Sequence, residues 1–235
     1  MTLQTTRRLA ASAMAGAALL AFAGFTALGA IFEYPQILKQ PVEDILASYS
    51  ANQAAISGWF LALVVSAALL APVGILLGRI AGGRLRPWIT GVAIAAATVQ
   101  VTGLSRWVLL VPGISAAADD PARRADAYRA FETLHFWLGT IVGETIGYAL
   151  TATFTVLVVV ALAGRVVPRL IGYVGYAAAA LIATGVLIPL GLGAASLTNF
   201  AGYVAWCLWL IAMAVVLWRS KAVAPAARSL RSVRA

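Results

Sequence analysis

Two charged residues, Arg106 and Glu144, lie inside long apolar runs of this 235-residue chain. A charge surrounded by hydrocarbon is costly unless it is paired, hydrated or neutralised, so each is a candidate functional residue by default. The run around Glu144 carries the most pattern. At about 100° per residue, Thr140, Glu144, Tyr148, Thr151 and Thr155 fall within about 80° of one another and form a polar stripe. Gly139, Gly143 and Gly147 lie beside that stripe as a small-xxx-small row, which lets a neighbouring helix approach closely. A face of this kind belongs inside a bundle. On the preceding run, Thr98, Thr102, Ser105 and Arg106 share a face by the same arithmetic.

If the two runs are antiparallel spans, Arg106 lies roughly 9 Å and Glu144 roughly 15 Å below the same surface, at 1.5 Å per residue. Their long side chains can close that gap. The sequence therefore predicts an Arg106–Glu144 interaction, direct or through water, with Tyr148, Thr140 and Thr102 supplying hydrogen bonds. Such a pair admits two readings. It can hold a ligand or a transferable proton, or it can only fix the register of the bundle.

His135 is the single histidine and stands three residues after Glu132. Glu-x-x-His on a helix matches the ligand spacing of di-iron bundles, but those need a second such motif, and none is present. Catalytic zinc takes three protein ligands and bis-histidine haem takes two histidines, so no metal or cofactor is expected. On an α-helical period His135 lies about 180° from Glu144, so the two are not expected to converge. This leaves His135 and Glu132 a proton-sensing or interfacial hydrogen-bonding role. The same angle disfavours an enzyme that would use Glu144 as acid or base with His135 as helper. No Gly-rich phosphate loop, nucleophile elbow or HExxH is present. Both lysines, Lys39 and Lys221, lie outside the apolar runs, so no intramembrane lysine could hold a retinal Schiff base. Cys207 is the lone cysteine and reads as a small hydrophobe.

The elements that must position these residues follow from composition. The chain is 62% hydrophobic and only 11% charged, about half the charged fraction of a soluble domain. Apolar runs long enough to cross about 30 Å of hydrocarbon occur at roughly 8–31, 55–78, 87–111, 133–163, 168–190 and 195–218. These six spans use almost the whole length, so a single all-α membrane bundle is expected, with a lipid bilayer as its solvent. Pro72 and Pro189 should kink their spans.

Charge gives the orientation. Arg7, Arg8, Arg79, Arg84, Arg86, Arg165, Arg169, Arg219, Lys221, Arg228, Arg231 and Arg234 all fall on one side of the six-span arrangement, with no acid among them. The other side carries Glu33, Glu43, Asp44, Asp119, Asp120, Asp126 and Glu132 against Lys39, Arg123, Arg124 and Arg129. By the positive-inside rule both termini are cytoplasmic, and residues 219–235 form a basic tail. The first run also has the basic start of a signal peptide, but it exceeds the usual apolar length of about 7–15 residues and reads as a retained span. The net charge of +9 sits at span ends rather than on a basic face with interleaved aromatics, so nucleic acid is not an expected partner.

Two loops on the acidic side should form short amphipathic helices. Pro41 stands at a first helical position, with Glu43 and Asp44 in the first turn. Asp120 and Pro121 start the second, which runs through Tyr128 into the fourth span. They either seal the interface or form a lid over a cavity.

Gly103-Leu104-Ser105-Arg106-Trp107-Val108-Leu109-Leu110-Val111-Pro112, followed by His135-x-x-x-Gly139-x-x-x-Gly143-Glu144-x-x-Gly147-Tyr148, resembles a family of bacterial multi-span membrane proteins known only as a domain of unknown function. The Phe32-x-Tyr34-Pro35 segment is similar too. The resemblance spans most of the chain and implies a prokaryotic plasma-membrane protein of this topology, without an activity. The expectation that results is a six-helix membrane bundle that binds or transports a small polar or ionic ligand at Arg106, Glu144, Tyr148, Thr140, Thr102, His135 and Glu132. The alternative is an accessory or sensory subunit whose polar core is structural, acting with a membrane partner or as a homo-oligomer.

Overall fold

The computed structural model describes residues 1–220. Lys221, Arg228, Arg231 and Arg234 of the expected basic tail lie outside the described residues. Among the described residues the fold is helical and contains no strand. Six helical stretches are long and apolar enough to cross a membrane: Leu3–Phe32, Gln53–Ala81, Gly83–Asp119, Arg124–Leu162, Arg169–Leu190 and Gly193–Arg219. The chain is a multi-pass membrane protein built on these six.

Their ends follow local chemistry. Helix α1 (Leu3–Phe32) is capped by the Thr2 hydroxyl, which accepts from the Thr5 amide. It stops at Glu33, which takes φ 51° and donates its amide to the Leu28 carbonyl. The short helix α2 (Val42–Ala51) leads into the second span, which breaks into α3 (Gln53–Ala68) and α4 (Leu70–Ala81). Pro72 sits in the first turn of α4, where its missing amide costs no intrahelical bond. The third span is α5 (Arg86–Leu109), continued by the short α6 (Val111–Asp119), with Pro112 opening the new helix.

The fourth span begins as α7 (Arg124–Leu134), passes through a π-helix over His135–Ile146, and ends as α8 (Gly147–Leu162). The fifth is α9 (Arg169–Ala183), finished by a 3₁₀ stretch over Thr184–Leu190 that contains Pro189. The sixth is α10 (Gly193–Arg219). Arg8 lies over the Trp218 ring, with Cζ 5.7 Å from the ring centroid, so the start of α1 and the end of α10 share one end of the bundle.

At the opposite end α2, α6 and α7 pack on one another as a cap. Trp107 is the hub beneath it and is fully buried. Its ring stacks on Phe60 at 4.8 Å between centroids and takes Phe32 and Phe131 edge-on at 5.3 and 5.9 Å. Tyr49 of α2 is also fully buried, and its hydroxyl donates to the Trp107 carbonyl at 2.9 Å. A second core joins α1, α4, α5, α8, α9 and α10 around Met14, Leu77, Phe154 and Trp209. The candidate polar residues lie between the two cores.

Candidate functional site

The site is built where α5 meets the π-helix. An i→i+5 bond pattern widens the helical repeat to roughly 4.4 residues, or about 80° per residue. The Thr145 hydroxyl reports that repeat directly, because it donates to the Thr140 carbonyl five residues back at 2.8 Å. At this spacing His135, Gly139, Gly143–Glu144 and Tyr148 follow one another along one side of the span. The angle of about 180° expected between His135 and Glu144 therefore does not hold. Nine residues at the π repeat amount to about two full turns, whereas nine at the α repeat amount to two and a half.

The glycines on this side let the two backbones touch. A Cβ on Gly103 would lie 2.6 Å from the Gly143 Cα and 2.9 Å from the Leu138 carbonyl oxygen. A Cβ on Gly139 would lie 2.7 Å from Arg106 Nη2 and 2.9 Å from its Cζ, so the guanidinium occupies the space that glycine leaves. Gly147 meets Gln100 in the same way. The glycine row is thus an internal seam against α5.

Arg106 is 4% exposed. Its Nη1 donates to the Gly103 carbonyl, and its Nη2 lies 3.4 Å from His135 Nδ1. The guanidinium carbon sits 5.4 Å from the centroid of the Trp107 ring. His135 is half-buried and stacks on Phe131, with rings 5.8 Å apart and 2° from parallel. Arg106 Nε has no hydrogen-bond partner, and neither does the buried indole N–H of Trp107. Among the described residues the one ion pair is Arg129–Asp126, on the exposed surface. Arg106 and Glu144 thus form no direct ion pair, because the arginine folds back along its own helix toward Gly103.

Sequence reasoning missed Tyr34. The left-handed turn at Glu33 carries the chain back over the end of α1, where Tyr34 stacks on Phe25 at 6.1 Å and meets Phe60 edge-on at 5.4 Å. Burial raises the Tyr34 phenol above its ordinary range; the Glu144 carboxylate adds to the rise and Arg106 opposes it. One aromatic hydroxyl from a loop thus lies within electrostatic reach of Arg106 and Glu144 on two different spans. The signal was a tyrosine just beyond a span end, inside the segment that carried the resemblance.

That site lies within a recognisable family. A profile described as a domain of unknown function, DUF4386, matches residues 14–214. The chain belongs to this family. No curated protein and no solved structure matches it. The matched stretch contains Tyr34, Arg106, His135 and Glu144, and so the DUF4386 match covers the site as well as most of the spans.

The remaining expected residues divide. Tyr148 is half-buried on α8, where its ring lies against Gly185 of the 3₁₀ stretch and 5.6 Å from Tyr203. Thr140 is half-buried, and its carbonyl takes the Thr145 hydroxyl. Thr102 is exposed and donates to the Thr98 carbonyl at 2.9 Å, and Thr98 itself is exposed. The face expected on α5 from Thr98 to Arg106 thus splits, with the threonines outward and Arg106 inward. Glu132 is exposed on α7 and does not join His135. Gln100 is what α5 supplies instead, donating from Nε2 to the Thr151 hydroxyl at 2.9 Å. Among the described residues no group of three or more His, Cys, Asp or Glu side chains is placed to hold a metal ion.

Proposed function

We propose that this protein binds a small anionic or strongly hydrogen-bond-accepting ligand at Arg106, in the half of the membrane nearer the cap, and that it serves as a binding or transport protein for that ligand. The observation that carries this reading is the incomplete pairing of a buried guanidinium. Arg106 has one carbonyl, one imidazole and one aromatic face as partners, while its Nε–H is left without an acceptor. Removing an arginine from water without an anion costs on the order of several kcal/mol, so an acceptor atom brought to this point gains unusually much. The adjacent indole N–H of Trp107 is a second unused donor. Tyr34, Glu144 and Tyr148 lie within electrostatic reach of the guanidinium, and Glu144 is the titratable member of the set.

The same reading places the chain in a bacterial cytoplasmic membrane with both termini in the cytoplasm, supported by the one-sided distribution of arginines and by the resemblance. A structural role for Arg106 is the second reading. It is favoured by the guanidinium filling the space over Gly139 and so pinning α5 to the π-helix.

Thermal unfolding in detergent separates the two. Parent, Arg106→Gln and Glu144→Gln are melted with and without chloride, acetate, phosphate and short-chain carboxylates. Under the binding reading, one anion class raises the parent Tm and the Arg106→Gln variant, still folded, loses that shift. Under the structural reading, the Arg106→Gln variant melts early and no anion shifts the parent.

A further inference from the structure

A cavity of about 50 Å³ lies among α1, α3, α4, α5 and α10, on the side of the polar site that faces the start of α1 and the end of α10. Most of its wall is apolar, with Phe25, Leu63 and Leu210 among the lining residues. Its polar edge is made by Gln100, Ser66 and Tyr203. Ser66 is already satisfied, since its hydroxyl donates to the Ala17 carbonyl at 2.8 Å.

Gln100 is not satisfied, and its orientation is fixed by chemistry. The Thr151 hydroxyl has one proton and gives it to the Gly147 carbonyl at 2.8 Å, so toward Gln100 it can only accept. That directs the amide nitrogen at Thr151 and leaves Oε1 as a free acceptor, with no hydrogen bond to it among the described residues. The Tyr203 hydroxyl is directed at the same Thr151 oxygen, which can only accept from it, so the phenol oxygen keeps its acceptor side free on the cavity wall. An amide oxygen and a phenol oxygen that meet no donor, on the wall of a bilayer-depth cavity, are costly when dry.

We propose that this cavity is a water-binding compartment, held by Gln100 Oε1 and the Tyr203 hydroxyl, and that it extends the polar site inward to the middle of the membrane. Its volume suits roughly three to five waters at the 10–15 Å³ that each needs. Tyr203 joins it to the site above, because its ring lies 5.6 Å from Tyr148, which stands four residues from Glu144. Leu70, Val73 and Leu210 wall the cavity with apolar side chains and carry no polar group that would continue the chain of hydrogen bonds. The compartment stands on its own geometry and does not depend on which ligand Arg106 takes.

Cys207, the one cysteine of the chain, lines the same cavity and reports its contents. The S–H stretch falls in an infrared window clear of other protein bands, so its replacement by S–D can be followed in the full-length protein in vesicles moved to D₂O. A hydrated compartment exchanges the Cys207 proton within minutes while the backbone amides of α10 stay protected. Gln100→Leu, or Tyr203→Phe where the first variant does not fold, slows that exchange at least tenfold. An S–H band that survives for hours in the parent overturns the proposal. So does exchange that occurs only together with loss of amide protection on α10, or exchange that neither substitution slows.

Discussion

Tyr49 shows how much one side chain ties together. Its hydroxyl lies 2.6 Å from the Ser57 hydroxyl and donates to the carbonyl of Trp107 at 2.9 Å, so one group links the cap helix α2, the second span and the aromatic hub. Burial raises its pKa above the ordinary tyrosine value, with the Ser57 hydrogen bond acting against the rise. A group whose folded pKa lies above the unfolded one contributes stability that is complete below the unfolded value and is lost as pH rises through the folded value. Thermal stability should therefore hold up to about pH 10 and fall beyond it, as the unfolded chain begins to release the proton first. Tyr49→Phe should melt lower at neutral pH, by about 1 kcal/mol for the lost hydrogen bond, and show a shallower alkaline decline. A Tm-against-pH curve for parent and variant reads both effects. An alkaline decline of equal depth in the two would assign it to other tyrosines, Tyr34 first.

At the scale of elements, the fourth span decides what could be read from the sequence. Its polar residues and glycines were identifiable because carboxylate, tyrosine and glycine are conspicuous in an apolar run. Their angular relations were not, because the α repeat was the wrong ruler between His135 and Ile146. The error grows with separation. Thr140 and Glu144 are nearly eclipsed on either repeat, but His135 and Glu144 change from opposite sides to the same side. On α5 the period was right and the choice of face was not. Threonines satisfy their hydroxyls against the carbonyl four residues back, as Thr98 and Thr102 do, and so can face outward at little cost. Tyr34 was beyond periodicity altogether, since a left-handed turn outside the helix places it.

The π repeat has a consequence that substitution can measure. If α5 packs on a stripe at 135, 139, 143–144 and 148, then leucine scanning of 135–148 should give its largest losses of Tm there. Position 142 should be tolerant, because the π-helix turns Val142 away from the seam. An α-helix would put the sensitive positions at 135, 139, 142 and 146, so losses at 142 and 146 with tolerance at 144 would overturn the π assignment. Overpacking at a sensitive position should cost about 1–3 kcal/mol.

For the whole molecule, topology and site belong to one argument. The cap made by α2, α6 and α7 lies at the end opposite the start of α1 and the end of α10, and the aromatic hub around Trp107 lies between that cap and Arg106. Whichever side of the membrane the cap faces is therefore the side from which a ligand has the shorter way to Arg106. The cap end carries most of the acids, and the terminal end carries Arg7, Arg8, Arg79, Arg84, Arg86, Arg165, Arg169 and Arg219 with none. Positive charge is retained on the cytoplasmic side during insertion, so the cap should face outward and the ligand should arrive from outside. Single cysteines at Gln40 in the cap and at Gly83 in the α4–α5 turn, in a Cys207→Ala background, give the test. In intact cells a membrane-impermeant thiol reagent should label position 40 and spare position 83 until the membrane is opened. The reverse pattern would invert the protein, place the site within reach of the cytoplasm, and turn an uptake or sensing site for external ligands into one for internal ones.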